Sequence, residues 1–461
     1  MPKIVEADIL DFANNFEGEK FHALLSDPPY ALISISKRFG DPDSAPALEG
    51  QDGRFTRLSK GFMGQPWDSF ESLEQYREWV ESWAKALIEN VLRPGAVCLF
   101  FGGTRTWHHL GVALENGGFE IYDTLMWLYG QGFPKSHQIE DWPGFGTSLK
   151  PAWEPILLCR APRGDITFDD LAAQYGSGAL NIDGSRIDQG GAGLDVYDGS
   201  FDREGRYVNP MSQAGRWPAN LLLEHHEKCV KVGSTTVPGR VLNRYPSQKQ
   251  GGSFAFYAED DKGKSYESEQ MPDELIDEWA CVSECPIRQL NDQVGQIQSG
   301  MMAAGQRRKK SLGLGGYRKG FPDIATQKDT YGDRGGPSRF FYCGKALPGE
   351  KNQGCSDFYW RRGSDGYERI SQEEWESADE RRRARGNIHP TVKPLGLLRY
   401  LATMIKPPDD IGASILVPFS GSGSEMIAAY QAGWREIVGI EISPNYNEIA
   451  RARIAGTIGM F

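Results

Sequence analysis

Leu24-Leu25-Ser26-Asp27-Pro28-Pro29-Tyr30 is an apolar run that stops abruptly at an acid, two prolines and an aromatic ring. Residues Phe21 to Leu25 favour a buried strand, and the two prolines forbid both helix and continued sheet pairing after it. Asp27 to Tyr30 is therefore expected on a rigid loop at a strand's end, where open α/β sheets carry their active sites. Alone, such a tetrapeptide reads equally well as a Pro-rich turn, so its meaning depends on the remainder of the chain.

Outward from that loop, the amino-terminal third alternates strands and helices. Lys3 to Ile9 reads as a short strand, and Leu73, Tyr76, Val80, Trp83 and Leu87 recur at helical spacing as a core-packing stripe. Arg93-Pro94-Gly95 ends that helix before the apolar strand Ala96 to Phe101; a helix from Thr106 to Leu114 and a strand from Glu120 to Tyr129 follow. Ile156 to Leu158 ends a loop-rich stretch and is expected as an edge strand. The carboxyl end repeats the pattern, with a helix over Leu395 to Ile405, strands Ala413 to Val417 and Glu436 to Ile440, and a helix from Pro444. Strand and helix in alternation predict a doubly wound α/β sheet. Residues 164–386 are richer in Gly, Ser, Asp, Arg and Gln and lack clean periodicity, which predicts a separate module or a long insertion.

A chain of 461 residues has room for two domains or one domain with a large insertion. Its apolar share of 39% and charged share of 25% fit a globular protein, and it carries neither a bilayer-length apolar run nor a signal-peptide pattern, so a cytoplasmic location and no membrane partner are expected. The net charge of −11 hides a segregation: Pro286 to Lys345 holds 11 Lys or Arg against 4 Asp, whereas Ala255 to Ala280 holds 9 acids and 2 lysines. A basic binding face on an acidic protein is thereby allowed.

The second informative stretch is Pro418-Phe419-Ser420-Gly421-Ser422-Gly423-Ser424, a glycine pair between a strand and a helix that lets backbone approach a ligand closely. Glu441 ends the next strand, where a carboxylate can accept bonds from ribose hydroxyls. Position 426 is Met where a dinucleotide fingerprint has its third glycine, which disfavours NAD and FAD. An adenosine cofactor without phosphates, held through its ribose and an amino-acid tail, is S-adenosylmethionine.

Taken together, the chain resembles the DNA amino-methyltransferases. The resemblance rests on Asp27-Pro28-Pro29-Tyr30, on Pro418 to Gly423, on His389-Pro390-Thr391-Val392-Lys393-Pro394, and on Phe101 to Thr106, Gly132 to Ser136 and Leu149 to Pro155. With the catalytic motif first and the cofactor motif last, it looks like the permuted β group. It implies a Rossmann-like, circularly permuted methyltransferase core over 1–163 and 387–461, with a target-recognition (DNA-binding) insertion over 164–386. It further implies double-stranded DNA as partner, a homodimer, and methyl transfer to the N6 of a flipped adenine. Cytosine-N4 is the alternative target, and a DNA-binding module with a vestigial methylase core is the alternative class. Asp27, Pro28, Pro29 and Tyr30 would be catalytic. Asp8, Ile9, Thr391, Lys393, Pro418, Phe419, Ser420, Gly421, Gly423 and Glu441 would hold the cofactor. The family places an acid before Pro-Phe; here that position is Val417. The resemblance does not say whether a restriction endonuclease accompanies the chain.

Within the insertion, Arg307-Arg308-Lys309-Lys310 and Arg318-Lys319 are candidates for phosphate contacts. His225 with Cys229, and Cys281 with Cys285, form two pairs about fifty residues apart whose residue types suit a structural zinc ion. The alternative is two incidental pairs of reduced thiols.

Overall fold

The computed structural model describes residues 1–31, 70–129, 136–187, 217–237, 274–298, 334–344, 349–363, 366–380 and 382–458. It also describes three short strand pairs: 48–49 with 53–54, 200–201 with 207–208, and 241–244 with 267–270. Two compact units emerge, one of residues 1–185, 219–227 and 343–461, the other of 186–218 and 228–342. Among the described residues no helix is long and apolar enough to cross a membrane.

The first unit is built on nine strands: β1 (Lys3–Glu6), β2 (Phe21–Ser26), β3 (Leu92–Phe101), β4 (Glu120–Leu128), β5 (Trp153–Arg160), β6 (Leu221–Glu224), β7 (Tyr342–Gly344), β8 (Ser414–Pro418) and β9 (Glu436–Glu441). Their order across the sheet is β1-β9-β8-β2-β3-β5-β4-β6-β7. The first five run parallel. Strand β5 is antiparallel to both of its neighbours, so the expected edge strand is an interior one. Its Ile156 to Cys159 run is buried, and apolar residues on both faces suit a strand with a neighbour on each side, not an edge.

Both ends of the chain meet in this sheet. β1 lies in register with β9, Glu6 opposite Glu441, and β2 pairs with β8, Ala23 opposite Ile415. All six residues of β2 and all five of β8 are buried, which suits central parallel strands covered on both faces. Because these strands are parallel, Asp8, Asp27, Phe419 and Glu441 leave the same edge of the sheet.

Helices α1 (Ile9–Asn14), α2 (Leu73–Ala86), α3 (Trp107–Asn116), α4 (Phe168–Tyr175), α5 (Leu395–Met404), α6 (Ser424–Gln431) and α7 (Pro444–Ile458) belong to this unit. The aromatic stripe of α2 is core, with Tyr76, Val80, Trp83 and Leu87 all buried. Met426 of α6 lies over β9: a Cβ at Gly439 would come within 2.2 Å of its sulfur. The close approach of helix to strand is thus made by a glycine on the strand, not by one in the loop.

Residues 343–386 pack with the first unit although their composition matches the insertion. Cys355, Phe358 and Trp360 form an apolar cluster with Tyr446 and Ile449 of α7. A few large aromatics do this work amid polar sequence, so composition alone draws the boundary elsewhere.

The second unit is different in kind. Its described part is built around an antiparallel ribbon of Val230–Val237 with Glu274–Ala280, followed by the helix Pro286–Val294. Among its described residues the buried aliphatic and thiol side chains are Ile187, Ile287, Cys229 and Cys285.

Candidate active site

β2 ends at Ser26, whose hydroxyl donates to the Pro418 carbonyl of β8 at 3.2 Å. The two loops singled out in the sequence therefore start side by side. Each also holds a non-glycine residue at positive φ, Ala31 at 48° and Phe419 at 54°. Such backbone costs on the order of 1 kcal/mol per residue and persists only where its surroundings enforce it. The Phe419 ring is fixed against Trp79 and Trp83, with centroids 5.6 and 5.7 Å away. The carbonyls of Pro29 and Tyr30 accept from the hydroxyls of Tyr76 and Thr106.

On that loop sits a compact charged cluster. The Lys393 ammonium lies 3.0 Å from Asp27 Oδ2 and 3.0 Å from Glu154 Oε2, and donates to the Tyr30 hydroxyl at 3.0 Å. Tyr30 in turn donates to Asp27 Oδ1 at 2.8 Å. Burial alone would lower the affinity of Lys393 for its proton, but the two carboxylates outweigh it and raise its pKa. Burial, reinforced by the Asp27 charge, drives the Tyr30 phenol well above its ordinary pKa and keeps it neutral. A carboxylate has about four lone-pair sites, so Asp27 retains capacity for a further donor.

The glycine loop is held differently. Gly421 has φ +48°, and a Cβ there would come within 2.6 Å of the His389 ring, so only glycine fits. Its N–H donates to Glu441 Oε2 at 2.9 Å, while Ser443 donates to Oε1 at 2.8 Å. Burial raises the pKa of the Glu441 carboxyl, against those backbone bonds. The fully buried Arg453 of α7 donates to the Ser422 carbonyl at 2.7 Å, to the Ser422 and Ser424 hydroxyls, and to the Glu350 carbonyl. Burial lowers the pKa of His389 to about 4. Its Nδ1 faces the Thr391 carbonyl, which can only accept; Nδ1 therefore carries the proton, and the bare Nε2 faces Gly421.

Asp8 caps α1, accepting from Leu10 at 2.8 Å and Asp11 at 3.3 Å through Oδ1, and Ile9 is buried beside it. Thr391 is exposed. Lys393, expected at the cofactor, is placed 3.0 Å from Asp27 and from the Tyr30 hydroxyl. Sequence reading missed three residues. Glu154 lies inside a quoted motif but carried no assigned role. Arg453 looks like any helix-surface arginine. Glu425, buried beside the glycine loop, has its pKa raised to about 7 by burial and then by the Asp27 charge; an acid directly after the Gly-Ser-Gly-Ser run was its only signal. Arg307, Arg308, Lys309, Lys310, Arg318 and Lys319 lie outside the described residues, as do Gly132 to Lys135.

The glycine loop forms a cradle of the kind an adenosine cofactor needs. The buried Ser420 hydroxyl has no hydrogen-bond partner, and the spare lone pairs of Glu441 and Asp8 leave the same sheet edge. These donors and acceptors fit the ribose and amino-acid tail expected from the sequence.

The N6/N4 methyltransferase family model, described as DNA methylase, matches residues 21–452. The chain is 26% identical over 202 residues to the type II methyltransferase M.HindIII of Haemophilus influenzae, covering 39% of this chain and 64% of that protein. It is 40% identical over 67 residues to the putative methylase YubD of Escherichia coli K12, 14% of this chain and 28% of the relative. Each alignment spans less than two thirds of the relative. A solved structure of a putative DNA modification methylase from Thermus thermophilus, complexed with S-adenosyl-L-methionine, is 13% identical; the alignment covers 100% of this chain and 98% of that one, with a TM-score of 0.35. Because the family match begins at the first residue of β2 and runs into α7, taking in both loops of the site, this chain belongs to the N6/N4 DNA methylase family.

Proposed function

We propose that the protein is a DNA methyltransferase that uses S-adenosylmethionine and modifies the exocyclic N6 of an adenine turned out of duplex DNA. The observation that carries this is the pairing of β2 with β8, which sets the Asp27 loop beside the Gly421 loop although nearly four hundred residues separate them. When bound, S-adenosylmethionine supplies a methyl group on a positively charged sulfur. Ser420, Gly421, Glu441 and Asp8 would hold it at the edge of the sheet.

An exocyclic amino nitrogen is a poor nucleophile because its lone pair is delocalised into the ring. Asp27 and the Pro28 carbonyl would each accept one of its N–H bonds, drawing the nitrogen toward tetrahedral geometry and freeing the lone pair. Proline has no N–H to compete there. Lys393, Tyr30 and Glu154 fix the Asp27 carboxylate in advance, so little reorganisation is needed when the amino group arrives. The Tyr30 ring, pinned through its hydroxyl, offers a face for the extracted base. Target reading falls to the part of the inserted segment that forms the second unit, 186–218 and 228–342, whose basic runs suit phosphate contacts. Asp27 in the Pro-Pro-Tyr motif favours adenine over cytosine through the family resemblance.

Transfer of tritiated methyl groups to genomic DNA, followed by mapping of the modified base, tests the reading. N6-methyladenine is the expected product; N4-methylcytosine would move the target, and no incorporation despite DNA binding would make the protein a binding module. Asp27→Ala should lower transfer by about 10³-fold or more while cofactor and DNA binding persist; retained turnover would remove Asp27 from the chemistry.

A further inference from the structure

Outside the active site, one cluster in the structure has the composition of a metal centre. The ligand atoms of His225, Cys229, Cys281 and Cys285 all lie within 4.8 Å of one another. We propose that these four side chains bind a structural zinc ion and that the ion, not an apolar core, holds the cysteine-bearing ribbon to its helix.

The geometry follows from the backbone. Val230 pairs with Ala280 at the end of the antiparallel ribbon, so Cys229, just before Val230, and Cys281, just after Ala280, stand across from each other at its mouth. A turn closed by the Cys285 N–H donating to the Val282 carbonyl at 3.1 Å returns the chain to the same point. Arg288 braces that turn by donating to the Cys281 carbonyl at 2.8 Å. Cys285 stands at the N-cap of the helix Pro286–Val294, yet its side chain makes no capping bond. His225, four residues before Cys229, is 4% exposed, and its N–H donates to the Gly344 carbonyl at 2.8 Å. Ligands on one tetrahedral zinc, at about 2.3 Å for sulfur and about 2.0–2.1 Å for nitrogen, sit about 3.5–3.8 Å apart. The cluster therefore needs only a small contraction.

Energetics favour a metal here. All seven cysteines are thiols and not disulfides. Two of the few side chains buried in the second unit's described part are Cys229 and Cys285, while Val230 and Val232 on the ribbon are 58% and 63% exposed. A two-stranded ribbon is marginal alone, and small segments without an aliphatic core are commonly stabilised by a structural metal. Three sulfur donors and one imidazole form a soft set that selects zinc over magnesium or calcium. On binding, three metal–sulfur bonds and one metal–nitrogen bond form, and up to three thiol protons pass to solvent.

The test uses the full chain, purified under reducing conditions without chelator. Elemental analysis should give one zinc per chain, released on titration of the thiols with a mercurial. Cobalt(II) added to the metal-free protein should give the visible bands of a tetrahedral thiolate site. His225→Cys should keep one equivalent, whereas Cys229→Ser should lose at least about ten-fold in zinc affinity by chelator competition. Wild-type protein that contains no zinc and acquires neither zinc nor tetrahedral cobalt on reconstitution overturns the proposal. So does iron in place of zinc. Neither result depends on a variant folding, and neither bears on methyl transfer.

Discussion

The loops Asp27–Tyr30 and Phe419–Ser424 end neighbouring parallel strands, yet one is held by charge and the other by backbone. Around Asp27 the constraint is a set of side chains from distant positions, Lys393, Glu154 and Tyr30, converging within about 3 Å of one another. Around Gly421 it is positive φ, a histidine ring where a Cβ would go, and an arginine bonded to one loop carbonyl and two loop hydroxyls. A charge cluster can be retuned one group at a time with the fold intact, because each partner has a second one. A backbone cradle has no such reserve, so its loss is felt in stability first.

Arg453→Met sets the upper end of that contrast. It leaves the Ser422 carbonyl and the Ser422 and Ser424 hydroxyls buried without their charged donor, and a buried acceptor left unsatisfied costs about 1–3 kcal/mol. Thermal unfolding should show a large fall in Tm, with cofactor binding weakened in step. Equal stability of variant and wild type would mean that the loop holds its shape alone.

Lys393→Met probes the other half. The Asp27 and Glu154 carboxylates would then share a site without a cation between them. Methyl transfer should fall by about 10²-fold or more, with a smaller change in Tm than for Arg453→Met. Adding Glu154→Gln removes the repulsion and should restore part of both; coupling between such neighbours is typically about 0.5–3 kcal/mol. Strict additivity of the two changes would show that Glu154 is a bystander.

Sequence reading found the loops because each is a local pattern: acid and prolines after an apolar run, glycines between strand and helix. The joining of the two chain ends in one core followed from the family resemblance, whose permuted motif order implies it. Sequence reading placed Ile156 to Leu158 at an edge because a short apolar run says nothing about its neighbours, and only the pairing to β3 and β4 reveals an interior strand. Glu154 and Arg453 escaped for the same reason. Each gains its role from a partner far along the chain, Lys393 for one and Ser422 for the other, and no spacing rule connects them. The four metal-ligand candidates were legible as residue types; their convergence depends on the register of Val230 with Ala280, which the sequence does not encode in any short motif.

Glu425 is where the two halves interact. By chain position it belongs to the glycine loop, but the Asp27 charge adds to burial in raising its pKa to about 7 from an ordinary 4.5. The folded chain therefore holds a proton on Glu425 between about pH 4.5 and 7 that the unfolded chain has released, and stability must fall as pH rises through that window. Glu425→Gln carries no ionisable group there. Its Tm should match wild type near pH 4 and exceed it by a few degrees at pH 8, and combination with Asp27→Ala should shrink the difference by removing the charge that opposes ionisation. A pH-independent offset between Glu425→Gln and wild type would separate the two halves electrostatically, leaving only the β2–β8 pairing to connect them.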